Sequence, residues 1–299
     1  MILCLSAPSK TFLAGEYAVL RGATALVLNT SPRFELQIRP GSGQITGIPS
    51  GSPAGLWLQQ RQPLIERYDL HFHDPHEGRG GFGASGAQFL LVHSFTTFLQ
   101  SAFSHLIEGV QLADLWQDQN VLSKGKGSGA DVLAQTVGGV ARVNANLREA
   151  IALSWPYPDL GFSIVRTQNK VATHEHLADI VEAQLDQLKV PADACVEAFG
   201  RRSAEDFVDA LKIFAQTLNQ LSLQTPTSRE MCNHLLSQKW CLAAKGCGAL
   251  GADTILFIYK KESQSSVTDF LVSKGWNCAA SHDSLSGGLQ LAWRGSHAH

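Results

Sequence analysis

EGRGGFGASGAQ, residues 77–88, sets five glycines in front of a segment where Ala87, Leu90, Leu91, Ser94, Phe95 and Phe98 recur at the spacing of one helix face. A glycine-rich loop that feeds straight into a helix has a definite chemical use. Glycine takes positive φ and lets a ligand approach the backbone, while the free N–H groups and positive dipole end of the helix attract phosphate. Taken alone, such a loop is also an ordinary turn. No G-K-[ST] follows, so it is not a Walker A loop, and it lacks the strand-then-helix setting of a dinucleotide fingerprint.

Working outward, two more glycine loops have similar surroundings. GKGSGAD precedes VLAQTVGG at residues 125–139, and residues 246–253 lie between the strand-like runs 240–244 and 254–259. Upstream, residues 2–7, 23–28 and 34–39 read as three strands, the last with Phe34, Leu36 and Ile38 on one face; residues 41–55 read as an exposed hairpin with a brief strand at 44–48. Downstream, 161–167 reads as a strand, 173–238 as mostly helix punctuated by Pro191, Gly200 and Pro226, 264–274 as helix and 288–293 as strand. This order predicts an α+β chain whose second half is a split βαβ sheet covered by helices on one face, with a boundary near 157–161. The expected domains are 1–158 and 159–299.

The 299 residues are 44% hydrophobic and 17% charged, with a formal net charge of -2, so a packed core is expected and no basic field exists to recruit nucleic acid or an acidic membrane. A small-molecule partner is expected instead. Six cysteines without C-x-x-C spacing argue against a disulfide framework or zinc knuckle and fit a reducing cytosol. MILCLSAPSK lacks a basic n-region and a long apolar stretch, and no apolar run reaches the roughly 20 residues that span a bilayer, so a soluble, cytoplasmic chain is expected.

Four segments in order carry a resemblance. SAPSKTFLAGEYAVLRG (6–22), GGFGASGA (80–87) and KGCGALGAD (245–253) resemble the three signature motifs of the GHMP kinase superfamily, and GSGADVLAQTVGG (127–139) looks like its G-x-x-S-G-x-D segment. The chain departs from those patterns at Ser9, where glycine is usual, at Phe82, Ala84 and Gly86 in the second motif, and at Leu250 and Ala252 in the third. The resemblance implies a two-lobed GHMP kinase-like fold, with an N-terminal ribosomal S5-like lobe forming the nucleotide cradle and a C-terminal ferredoxin-like lobe. It also implies phosphoryl transfer from ATP with Mg²⁺.

On chemistry alone, Asp131 is either a carboxylate that orients or deprotonates a substrate oxygen or a charge interacting with a helix dipole, and Lys10 either neutralises phosphoryl charge or is a solvated loop residue. The resemblance implies the catalytic reading for both. It further assigns Gly80, Gly81, Gly83, Ala84, Ser85 and Gly86 to the nucleotide, Ser85 as the hydroxyl ligand of Mg²⁺, and Ser128, Gly129, Thr173 and Gly248 to the acceptor. Glu16 keeps two readings, a place in the substrate site's charge network or a tie that holds the strand turn. Phosphoryl transfer is mostly positioning and charge neutralisation, so this set would suffice.

The histidines of HFHDPHE (71–77) and of HEH (174–176) have metal-competent side chains but no H-E-x-x-H spacing, and two histidines do not close a zinc site. GEYAVLRG, GSGAD and the closing Asp253 resemble the mevalonate-pathway members, phosphomevalonate kinase more than mevalonate kinase. Lys124, Lys126, Arg166 and Lys170 are the cations expected to serve a phosphorylated acceptor. A catalytically weak, ligand-binding or regulatory relative stays open through the substitutions Ser9, Ala84, Leu250 and Ala252, because a side chain at a position needing positive φ, or pressing on phosphate, would spoil nucleotide binding. A monomer or homodimer is expected.

Overall fold

The computed structural model describes residues 2–100, 111–125, 127–167 and 182–295. Two sheets organise them. The first is built on two long strands, β1 (Ile2–Ala14) and β2 (Ala25–Pro40), paired antiparallel with Leu3 opposite Ile38 and Ser9 opposite Thr30. The register shifts between Pro8 and Ser9, where Ser31 and Pro32 are extra residues of β2 left out of the pairing just before Lys10. After β3 (Ile45–Thr46) come the short helices α1 (Pro53–Gln59) and α2 (Gln62–Ile65) and strand β4 (Tyr68–His73). The glycine loop then opens α3 (Ala84–Gln100), followed by α4 (Leu112–Leu122), α5 (Ala130–Val137), β5 (Val140–Asn144) and β6 (Glu149–Leu153).

β2 reads in the sequence as two strands, because residues 29–33 are polar and interrupt the apolar pattern. It is one strand of 16 residues. Its first half pairs with β5 and its second half with β4, and the polar crossing is accommodated by Asn29, whose side-chain amide donates to the Gly139 carbonyl at 3.2 Å. The expected hairpin at 41–55 is also different: β3 runs parallel to β4, and Ser52 caps α1 by accepting from the Gly55 N–H at 3.1 Å.

The second sheet has the order β10 (Cys278–Ser281), β7 (Leu160–Arg166), β9 (Thr254–Lys260), β8 (Cys241–Cys247). Between β7 and β8 lie α6 (Glu182–Asp186), α7 (Lys189–Arg201), α8 (Ala204–Gln220) and α9 (Pro226–Leu236), and α10 (Gln264–Ser273) precedes β10. Alternation along β9 explains its packing. Ile255, Phe257 and Tyr259 face a cluster with Met231, Leu235, Val267 and Leu271, whereas Leu256 and Ile258 join the main core with Phe199, Phe207 and Leu211. Helices therefore cover both faces of this sheet, not one as expected.

The final strand, β11 (Gln290–Arg294), does not join that sheet. It returns to pair with β1, Ile2 opposite Arg294, while β10 takes the edge position beside β7. Arg33 anchors the return: its guanidinium donates to the carbonyls of Ser6, Gly287 and Gly288 at 2.8, 2.6 and 2.6 Å. α3 passes through the main core with Phe89, Leu90, Leu91, Val92 and Phe95 all at 1% exposure or less, which fixes its N-terminus relative to β1. No helix among the described residues is long and apolar enough to cross a membrane.

Candidate functional site

The N-terminus of α3 is where the sequence-predicted residues meet. Gly80, Gly81 and Gly83 all have positive φ (79°, 81° and 84°), the conformation in which glycine alone is unstrained. A Cβ at Gly83 would stand 2.6 Å from the Lys10 side chain, and one at Gly86 would stand 3.0 Å from Asp131 Oδ2. Lys10 and Asp131 thus reach the same helix terminus, each through a gap left by a glycine. Asp131 sits in the first turn of α5, whose preceding Gly129 has φ 70° and packs against the Trp116 indole. The indole N–H donates to the Ser128 carbonyl at 2.8 Å, which sets the entry to the helix. Ser85 is exposed in the first turn of α3, and Ala84 beside it is half-buried.

Gln135 ties this arrangement together, and no motif pointed to it. Fully buried, it donates to the Pro8 carbonyl at 2.8 Å and to the Gly83 carbonyl at 3.3 Å. Its Oε1 has no hydrogen-bond partner among the described residues and would lie 2.7 Å from a Cβ on Gly86. Gln135 lies one helical turn after Asp131, so the i, i+4 spacing was the available signal.

The glycine segment at 246–253 closes against the one at 77–88 through Asp253. Cβ atoms on Gly81 and Gly248 would lie 2.7 Å from its Cβ and 2.1 Å from its Oδ2, so both loops crowd the same side chain. Thr167 at the end of β7 donates its hydroxyl to the Ala252 carbonyl and its N–H to the Asp253 carbonyl at 3.2 Å. Leu250 holds a left-handed φ of 49°, with its N–H donating 2.7 Å to the Tyr17 hydroxyl and its carbonyl accepting from Thr225 at 2.9 Å. Burial pushes the Tyr17 phenol up to about 12, so it remains a neutral acceptor.

Glu16 takes neither of its expected forms alone. Its carboxylate makes an ion pair with Lys245, whose side chain is completely buried and also reaches Cys247 Sγ at 3.2 Å. Burial by itself would depress the ammonium, but Cys247 and Glu16 hold it above the ordinary lysine range. The pair joins the turn after β1 to β8. Glu16 Oε2 has no hydrogen-bond partner among the described residues.

The histidine-rich stretch divides. His71 and His73 are exposed on β4, whereas His76 is 4% exposed and lies over the Phe82 ring, with centroids 4.2 Å apart at 15°. Its Nε2 is 2.6 Å from Ser9 Oγ and its Nδ1 2.6 Å from the Arg166 guanidinium. Arg166 is therefore engaged behind the loop. On its outer side it borders a cleft of about 370 Å³ shared with Thr227, Glu230, His234, Lys274 and Trp276. No group of three or more His, Cys, Asp or Glu placed to hold a metal ion occurs among the described residues. Lys124 is exposed, and Thr173, Lys126, Lys170 and the HEH run lie outside the described residues. Five cysteines are buried and Cys278 is exposed, all as free thiols.

No protein-family model matches the chain, and no curated protein matches it by sequence. Solved structures do match. Streptococcus pneumoniae phosphomevalonate kinase in complex with phosphomevalonate and AMPPNP superposes with a TM-score of 0.74 at 17% identity, over 93% of this chain and 98% of that one. Methanococcus jannaschii mevalonate kinase gives 0.70 at 14%, over 96% and 98%. Lactococcus lactis galactokinase complexed with galactose gives 0.77 at 12%, over 97% and 95%. Enzymes named for different acceptors match about equally well, so the likeness speaks to architecture and not to substrate. This chain has the α+β fold of the GHMP kinases.

Proposed function

We propose that this protein transfers the γ-phosphoryl group of ATP to a small acceptor of the mevalonate pathway, with mevalonate 5-phosphate the favoured acceptor and mevalonate the alternative. The observation that carries the proposal is the convergence of Lys10 and Asp131 on the N-terminus of α3 through Gly83 and Gly86. A carboxylate, a lysine and a row of free backbone N–H groups at a helix start are what in-line phosphoryl transfer requires of a protein.

The residues fit a nucleotide and Mg²⁺. Gly80, Gly81, Gly83 and Gly86 put no side chain at four positions of the loop, the Ser85 hydroxyl is exposed beside them, and the buried Gln135 oxygen beneath has no hydrogen-bond partner among the described residues. The bound cation would neutralise charge on the phosphates. Asp131 would position the acceptor oxygen, receiving its proton where that acceptor is a hydroxyl, and Lys10 would balance charge on the transferred group. Ser128, Gly129, Gly248 and Thr173 are proposed to border the acceptor. Glu16 would support that wall indirectly, by fixing Lys245.

A second reading has one specific observation behind it. Leu250 carries a left-handed φ where the GHMP resemblance has glycine, and a side chain held there favours a ligand-binding module without turnover. ADP release from ATP and Mg²⁺ with mevalonate, mevalonate 5-phosphate, mevalonate diphosphate, galactose and homoserine, using Asp131→Ala as control, separates the two. Turnover with one acceptor, lost in the variant, supports the kinase; ATP binding without turnover on any of them supports the module.

A further inference from the structure

Three consecutive residues of β1 are tied by side chains or backbone from distant parts of the chain. The Pro8 carbonyl accepts from Gln135, the Ser9 hydroxyl donates to the Pro32 carbonyl at 2.5 Å, and the Lys10 N–H donates to the Phe82 carbonyl at 2.9 Å. His76 touches two of these ties at once. It hydrogen-bonds Ser9 Oγ and stacks flat on the Phe82 ring, and Arg166 holds its other nitrogen from behind.

Donor chemistry determines the direction of this chain. A guanidinium only donates, so Nδ1 of His76 is the acceptor and the ring proton is on Nε2. Nε2–H then donates to Ser9 Oγ, which leaves the Ser9 proton for Pro32. The serine hydroxyl is thereby held between the Pro32 carbonyl and His76. This accounts for how Ser9 is accommodated where the GHMP resemblance has glycine, and the partner residues His76 and Arg166 are supplied from outside the motifs.

We propose that His76 is a positioning residue for Lys10: as the neutral Nε2–H tautomer, fixed by Arg166, it clamps Ser9 on one side and Phe82 on the other, and so sets where the Lys10 side chain emerges beside Gly83. The proposal rests on the phosphoryl-transfer reading for its consequence, but its geometry stands apart from it.

The test has an arm independent of turnover. Two-dimensional ¹⁵N–¹H spectra of the histidine rings in the full chain, with the His76 signals identified by their loss in His76→Gln, should show the Nε2–H tautomer near neutral pH; an Nδ1–H tautomer or an imidazolium overturns the proposal. Labelling of Lys10 by acetic anhydride, read by mass spectrometry, should change rate in His76→Phe, which keeps the ring stack and loses both hydrogen bonds, and return toward the parent rate in His76→Gln. In the Ser9→Gly background the effect of His76→Phe on Lys10 should largely vanish, and equal effects in both backgrounds overturn the clamp. Where an acceptor is turned over, His76→Phe should lower kcat by about tenfold with KM for ATP little changed. A chain that turns over no acceptor but shows the tautomer and the labelling pattern rejects the kinase reading and keeps the clamp. If His76→Phe does not fold, Arg166→Lys with the same labelling readout takes its place, and an unchanged Lys10 rate there overturns the proposal.

Discussion

Gly86 and Asp131 are matched to each other: a Cβ on Gly86 would stand 3.0 Å from the Asp131 carboxylate oxygen, closer than neighbours normally pack. The carboxylate is brought to the start of α3 because that helix lacks a side chain at this turn. The carboxylate is also held locally, with the Val132 N–H donating to Oδ1 at 3.0 Å. Asp131→Asn keeps the shape and that contact but loses the negative charge, and with it proton acceptance from a hydroxyl acceptor. It should reduce turnover about 100-fold or more while ATP affinity, measured by calorimetry, stays within about threefold. Near-normal turnover would remove Asp131 from the reaction.

The same gap makes a prediction about packing. In the GHMP resemblance alanine occupies the position of Gly86, and here the Gln135 oxygen fills the space, 2.7 Å from where that Cβ would be. Gly86→Ala alone should therefore destabilise the fold by about 1–3 kcal/mol through overpacking. Gly86→Ala combined with Gln135→Ala should recover part of the loss, a coupling read directly from a double-mutant cycle in urea. Additive effects would mean that the two positions do not share the space.

Glycine loops and the helix after residue 83 were legible because φ preference and 3.6-residue spacing are local properties. So were Lys10 and Asp131 as candidates, through segments that lie next to them in sequence. Strand partnership was not legible: residues 290–294 read as a strand, but nothing in their alternation says that they pair with β1 and not with β7. β2 was divided in two because Asn29 and Thr30 are polar, although both are fully buried. His76 was visible only as one of several histidines. Its partners are 67 and 90 residues away, and only the fold brings them to it.

The Glu16–Lys245 pair should behave as a buried ion pair whose halves depend on each other. Lys245→Met leaves the Glu16 carboxylate with no counter-charge in the core and should cost about 3–5 kcal/mol. Glu16→Leu with Lys245→Met removes both charges and should be clearly more stable than either single variant, as measured by urea midpoints. A double variant as unstable as the singles would show that the pair contributes through shape alone.

His76 gives the fold a pH dependence with a definite sign. Burial first, and then Arg166 from β7, lower its pKa to about 4; Asp74 opposes this and Arg79 adds to it, both from the loop after β4. An unfolded histidine titrates near 6.5, so between these values the unfolded chain holds a proton that the folded chain does not. Stability from this group is fully present above about pH 6.5 and declines as pH falls toward about 4, by an amount on the order of 2 to 3 kcal/mol. His76→Gln does not titrate, and its amide can still donate toward Ser9. Asp74, Arg79 and Arg166 are common to both proteins and cancel to first order. The stability difference between parent and His76→Gln should therefore shift in favour of the variant as pH falls through that window. Urea midpoints at half-unit steps read this shift, and a difference that stays constant across the window would place the His76 ring in water.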